Sequence, residues 1–141
     1  MSKTIIGKDV PKEMEKHAVA HIKRRMKQYI EDELQRNLTI YTPQAGQFGV
    51  AGRPDLEFTM GEYALTIYTE MKSPKGKPSG KQLEWISTHN NKHPMAPAVI
   101  IYGKAGVDKF MDELVRNYFS GSSLRDWYDW CELLIKEPVF K

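Results

Sequence analysis

Apolar positions recur at helical spacing through Met14, Ala18, Ile22, Met26, Tyr29 and Ile30, which predicts an amphipathic helix running to about Gln35. Asp9-Val10-Pro11 reads as its start, with Asp9 near the cap and Pro11 in the first turn. The opposite face is basic, carrying Lys16, Lys23, Arg24 and Lys27. Residues 38–42 form a short candidate strand, and residues 43–52 a glycine-bearing loop. From Asp55 to Met60 the pattern alternates, with Leu56, Phe58 and Met60 on one side. Gly61-Glu62 signals a turn, and Tyr63 to Lys72 alternates again. Leu65, Ile67, Thr69 and Met71 share one face of that second segment, and Thr66, Tyr68, Glu70 and Lys72 the other, so the two segments predict a β-hairpin. The loop SPKGKPSG leads into a helix over about 79–91, a buried-type strand over 97–102, a helix over 106–119 and a last helix over about 122–135. This order predicts an α/β fold, a mixed sheet with helices packed on it.

The chain of 141 residues, 40% apolar and 28% charged, suits one domain with a single core. No apolar run approaches the roughly 20 residues that span a bilayer, and the N-terminal residues lack the long apolar segment of a secretory signal. With the single Cys131, neither a disulfide framework nor a thiolate metal cluster is expected, and a reducing, cytoplasmic setting fits. The net charge of +3 is unevenly spread: residues 72–104 carry six Lys/Arg against one acid, and residues 31–71 two against seven. Basic zones thus flank an acidic middle, as suits a polyanion resting on the former and a cation held by the latter. An uneven but ordinary surface is the plainer interpretation.

The hairpin concentrates the chemistry. If residues 61 and 62 form a two-residue turn, positions summing to 123 face each other. Asp55 and Glu70 are then same-face diagonal neighbours, roughly 7–8 Å apart at the backbone. A register shifted by two makes them directly opposed. Lys72 shares the face of Glu70 because side chains alternate along a strand. Two carboxylates so placed repel unless a cation lies between them, and hard oxygen ligands with open positions suit Mg²⁺ or Mn²⁺. The plain alternative is a solvated Asp/Glu/Lys ion pair on an ordinary hairpin.

The residues Gly52-Arg53-Pro54-Asp55-Leu56, Thr69-Glu70-Met71-Lys72, Gly76-Lys77-Pro78-Ser79 and Gln82 together resemble the VRR-NUC branch of the PD-(D/E)XK nucleases. That branch carries a G-x-PD motif, an (I/V)-E-x-K motif, a G-K-x-S segment and a downstream glutamine. The resemblance spans about residues 46–103. Thr69 departs from it, standing where an aliphatic residue is usual. The resemblance implies a restriction-endonuclease-like αβββαβ core over about 12–103, followed by extra C-terminal helices, all in one nuclease domain. It implies divalent-metal-dependent cleavage of DNA phosphodiesters. Asp55, Glu70 and the carbonyl of Met71 would be metal ligands, Lys72 the catalytic lysine, and Gln82 a supporting side chain. Glu15 fits the acidic position on the first helix, with Glu13 the other candidate. Small stand-alone members of the branch resemble junction-resolving, often phage-borne endonucleases, which implies branched DNA as substrate and a symmetric homodimer.

Lys75, Lys77 and Lys81 are candidates to grip the nucleic-acid backbone, and Arg53 to pair with either Asp55 or a phosphate. His17 and His21, like His89 and His93, are four apart, a spacing that binds zinc on a helix. Neither pair has an evident third ligand, so zinc is not expected, and a phosphate contact is the other use for His17 or His21. The last helix carries Leu124, Trp127, Tyr128, Cys131, Leu134 and Ile135 as an apolar stripe, with core packing its first use and a dimer interface its second. Two rival functions stand beside the nuclease: a catalytically inactive nucleic-acid-binding module, and a protein-interaction domain.

Overall fold

The computed structural model describes residues 12–43, 51–119 and 124–141. Asp9, Val10 and Pro11, most of the loop expected over 43–52, and the first residues of the expected last helix lie outside them. The elements run α1 (Glu15–Met26), which continues as a π-helical segment (Lys27–Glu33), then β1 (Leu38–Tyr41), β2 (Leu56–Met60), β3 (Leu65–Lys72), α2 (Gly80–Lys92), β4 (Ala98–Tyr102), α3 (Gly103–Phe119), α4 (Leu124–Lys136) and β5 (Val139–Phe140). From α1 to β4 this is the αβββαβ order expected, with two further helices after it. The five strands form one mixed sheet in the order β1-β2-β3-β4-β5. The β1–β2 and β2–β3 pairs are antiparallel. The β3–β4 and β4–β5 pairs are parallel.

Strand alternation decides which residues enter which layer. Leu56, Phe58 and Met60 of β2, Ile67 and Met71 of β3, Val99 and Ile101 of β4, and Phe140 of β5 join the main core with residues of α1, α3 and α4. Thr69 falls on the same face and is fully buried. Its hydroxyl donates to the Leu56 carbonyl at 3.3 Å, which removes the cost of a polar group in an aliphatic position. The opposite face is covered by α2, and its apolar cluster is small: Ile86, Ala98 and Ile100, with Tyr68, Trp85 and Tyr102 packed against them. Asn90 ties α2 to the sheet, donating to the Ala98 carbonyl and accepting from the Ala98 N–H.

Several boundaries differ from the sequence expectation. The described part of the first expected helix is helical from Glu15, where Met14 is extended and its N–H donates to His17 Nδ1 at 2.9 Å. The hairpin connection is Gly61–Ala64, longer than the two-residue turn expected, and pairs Leu56 with Thr69 and Met60 with Leu65. Paired positions therefore sum to 125 rather than 123. The third helix starts directly after β4 at Gly103, not at 106. The short strand β5 gave no sequence signal, since two residues carry no period. In α4, Trp127, Trp130, Cys131 and Leu134 are buried, so the aromatic stripe is core. Tyr128 and Leu133 remain exposed.

Candidate active site

The shift of register by two brings the extension of β2 at Asp55 opposite Glu70. Asp55 is anchored there by the backbone: its Oδ2 accepts the Met71 N–H at 2.9 Å. Glu70, Met71 and Lys72 end β3, and the parallel partner β4 ends beside them, with Lys72 paired to Tyr102. The site lies at the carboxyl ends of these two parallel strands.

Glu70 is the centre of the arrangement. It is 1% exposed, yet its partners converge on one oxygen only. Gln82 Nε2 donates to Oε2 at 3.0 Å, and Lys72 Nζ lies 3.4 Å from the same atom. Oε1 is buried with no hydrogen-bond partner. Burial, then the negative charge of Asp55, pushes the Glu70 carboxyl up to about 8 from an ordinary 4.5, against the opposing pull of Lys72. Lys72 is itself largely enclosed, its side chain 13% exposed.

The neighbouring elements explain why these groups stay put. Ser79 caps α2: its hydroxyl accepts the Gln82 N–H at 3.1 Å, and Gln82 Oε1 accepts the Ser79 N–H at 2.8 Å. This reciprocal capping box holds the Gln82 amide with its oxygen turned back and its NH₂ aimed at Glu70. Ser-x-x-Gln is a helix-start signature legible in the sequence, and it assigns Ser79 a supporting place that the site motifs alone do not. Gly52, at φ +84°, lies so close to the start of α2 that a Cβ there would sit 2.2 Å from the Lys81 carbonyl oxygen. A residue with a side chain would push the Asp55 segment away from α2.

The structure separates the two first-helix acids. Glu15 opens α1 and is exposed, and its carboxyl is raised by burial and by Asp55 and lowered by Lys72. It therefore shares the electrostatic space of the site. Glu13 is turned elsewhere, its Oε2 accepting the Lys104 N–H at the start of α3 at 2.9 Å. Arg53 does not pair with Asp55. Its guanidinium bonds Glu57, four residues on, and lies 5.9 Å from the Tyr41 ring centroid. Lys75, Lys77 and Lys81 are exposed beyond the strand tip.

Three of the four histidines have other partners. His21 lies between Asp108 and Arg24, His17 Nδ1 holds the helix start, and His89 Nε2 donates to the Ala96 carbonyl at 2.7 Å. Among the described residues, no group of three or more His, Cys, Asp or Glu side chains stands in position to hold a metal ion. No helix among them is long and apolar enough to cross a membrane.

No family model matches the chain, and no curated protein matches it. A solved structure titled "VRR_NUC domain" is similar at 17% identity and a TM-score of 0.45, covering 70% of this chain and 95% of that one. That likeness is too distant to bear on function, which falls to the geometry of the site.

Proposed function

We propose that the protein is a divalent-metal-dependent nuclease hydrolysing DNA phosphodiester bonds, with branched DNA as its substrate class. The observation that carries this reading is Glu70 Oε1, a buried, unpartnered carboxylate oxygen beside Asp55. An orphaned buried acceptor costs about 1–3 kcal/mol, more when charged, and a second carboxylate adds repulsion. A hard cation removes both penalties, so the donor set fits Mg²⁺ or Mn²⁺. Asp55, Glu70 and the Met71 carbonyl would hold it. When bound, such an ion polarises a phosphate and lowers the pKa of water.

The chain's own residues do the rest. Lys72 Nζ, placed beside Glu70, orients the attacking water and balances charge gathering on the phosphate oxygens. Water gives up a proton to bulk solvent as it adds to phosphorus and the bond to the 3′ oxygen breaks, and the departing oxygen takes up a proton from solvent. Gln82 keeps Glu70 Oε2 occupied and the carboxylate fixed in orientation. Glu15, at the rim, adds a further carboxyl within the field of Asp55 and Lys72. Lys75, Lys77 and Lys81 position the backbone of the nucleic acid. Tyr128 and Leu133 are the exposed α4 residues left for a homodimer contact.

A second reading is a DNA-binding module without turnover, favoured by the lack of a third metal-ligating side chain among the described residues. Incubating the protein with four-way, flap and linear DNA, in Mn²⁺ or in EDTA, separates the two. The nuclease reading expects cleavage that requires Mn²⁺. DNA binding with no product under any of these conditions would favour the second.

A further inference from the structure

The three tryptophans are used differently. Trp127 and Trp130 are buried, and their indole N–H groups donate to the Met95 carbonyl and to Glu113. Trp85 is half-buried on α2. Its ring stacks on His89, with centroids 4.7 Å apart and planes 10° from parallel. His93 continues the line, 5.2 Å from His89. Lys81, Trp85 and His89 stand at successive four-residue steps, which puts them on one stripe of the helix, and His93 lies just past its end.

That stripe borders an open groove of about 590 Å³, lined also by Ala51, Glu84, Thr88 and Lys92. Burial lowers the pKa of His89, against the hydrogen bond to the Ala96 carbonyl, and the middle of the stripe is the stacked Trp85 and His89 rings. Lys81 and Lys92 are exposed at its two ends, and Glu84 is the one acid among its described lining residues. The Lys81 end adjoins Gln82, which bonds Glu70. Cations spaced along an aromatic ladder are the chemistry that binds an unpaired strand: phosphates meet the ammonium groups and bases extend the stack.

We propose that this stripe of α2 is a binding track for an unpaired DNA strand running off the active site, with Trp85 as the stacking residue and Lys81 and Lys92 as phosphate contacts. The choice of ligand rests on the nucleic-acid reading above. It narrows the branched substrates to those with an unpaired arm.

The test uses a short oligothymidylate and the full chain in EDTA, so binding is read without cleavage. Because Trp127 and Trp130 are buried, quenching of intrinsic fluorescence on binding reports Trp85. The expected result is saturable quenching, lost in Trp85→Phe. Affinity should fall about tenfold in Trp85→Ala, toward the low end of what one stacked base contributes, and severalfold in Lys92→Glu. If Trp85→Ala fails to fold, wild-type quenching and Lys92→Glu decide. Absence of saturable quenching, or an affinity unchanged in Lys92→Glu, would overturn the track. The same preparations are assayed for cleavage of branched DNA in Mn²⁺. Quenching without cleavage leaves the track standing and refutes the nuclease, whereas cleavage without quenching does the reverse.

Discussion

On the sheet face covered by α1, α3 and α4, β2 and β3 contribute Leu56, Phe58, Met60, Ile67 and Met71, all at most 1% exposed, and the polar intruder Thr69 has its hydroxyl bonded. On the α2 face the apolar cluster is reduced to Ile86, Ala98 and Ile100, and toward the strand ends it gives way to Glu70, Lys72 and Gln82. There a buried carboxylate oxygen is left without a partner. The first layer satisfies every rule of a stable interior. The second breaks one twice, at Arg53 Nε and at Glu70 Oε1, the latter where the hairpin, the β3–α2 loop and the first turn of α2 meet. Stability thus resides mainly in one layer, and the unfavourable charge that a function requires is confined to the other.

Substitutions in the two layers are expected to separate stability from activity. Phe58→Ala removes a fully buried ring from the main core and should destabilise by about 3–5 kcal/mol, read from the urea midpoint at unchanged slope. Lys72→Ala should lower Mn²⁺-dependent cleavage by about 10²–10³-fold, the scale of one lost electrostatic stabiliser, with a melting curve close to that of the parent. A Lys72→Ala protein that cuts at the parent rate removes lysine from the proposed mechanism.

The pH dependence sharpens the contrast. Glu70 titrates near 8 when folded and near 4.5 as an ordinary carboxyl. Between those values the folded form holds a proton that the unfolded form has lost, so this group's contribution to stability falls as pH rises from about 4.5 through about 8. In EDTA, the melting temperature of the parent should drop over that window relative to Glu70→Gln. The groups facing Glu70 are Asp55, Lys72 and Gln82, and the difference between the two proteins isolates Glu70 from the remaining titrations. Parallel curves would show that Glu70 is not held neutral by the fold.

The smallest effect concerns the support of the site. Ser79→Ala deletes the cap of α2 and should cost about 1 kcal/mol. Cleavage should fall more than that loss explains, because the same capping box orients the Gln82 amide toward Glu70. Equal activity at equal fraction folded would make Ser79 a structural cap alone.

Most of the layer assignment was legible because it depends on period. Leu56, Phe58 and Met60 alternate, as do Tyr68, Glu70 and Lys72, and their faces follow whatever the turn length. The register was legible only as a choice between two, and the one shifted by two is observed. Gly61-Glu62 resembled a tight turn, but the chain uses Gly61–Ala64. A shift of an even number kept every side chain on its face and changed only which carboxylate faces which. The start of α1 at Glu15 is fixed in part by the reach of Glu13 to α3, and a long-range contact of that kind leaves no local pattern. Arg53 is the same case: its choice of Glu57 over Asp55 depends on side-chain placement that spacing does not determine.

The central claim is that Asp55 and Glu70 form an unfavourable pair in the absence of a cation and a binding site in its presence. Thermal melts near pH 8, with Mn²⁺ or with EDTA, test it most directly on the parent, Asp55→Ala and Glu70→Gln. The account predicts that Mn²⁺ raises the midpoint of the parent and has little effect on either variant. A parent midpoint indifferent to Mn²⁺, or variants stabilised as much as the parent, would contradict it.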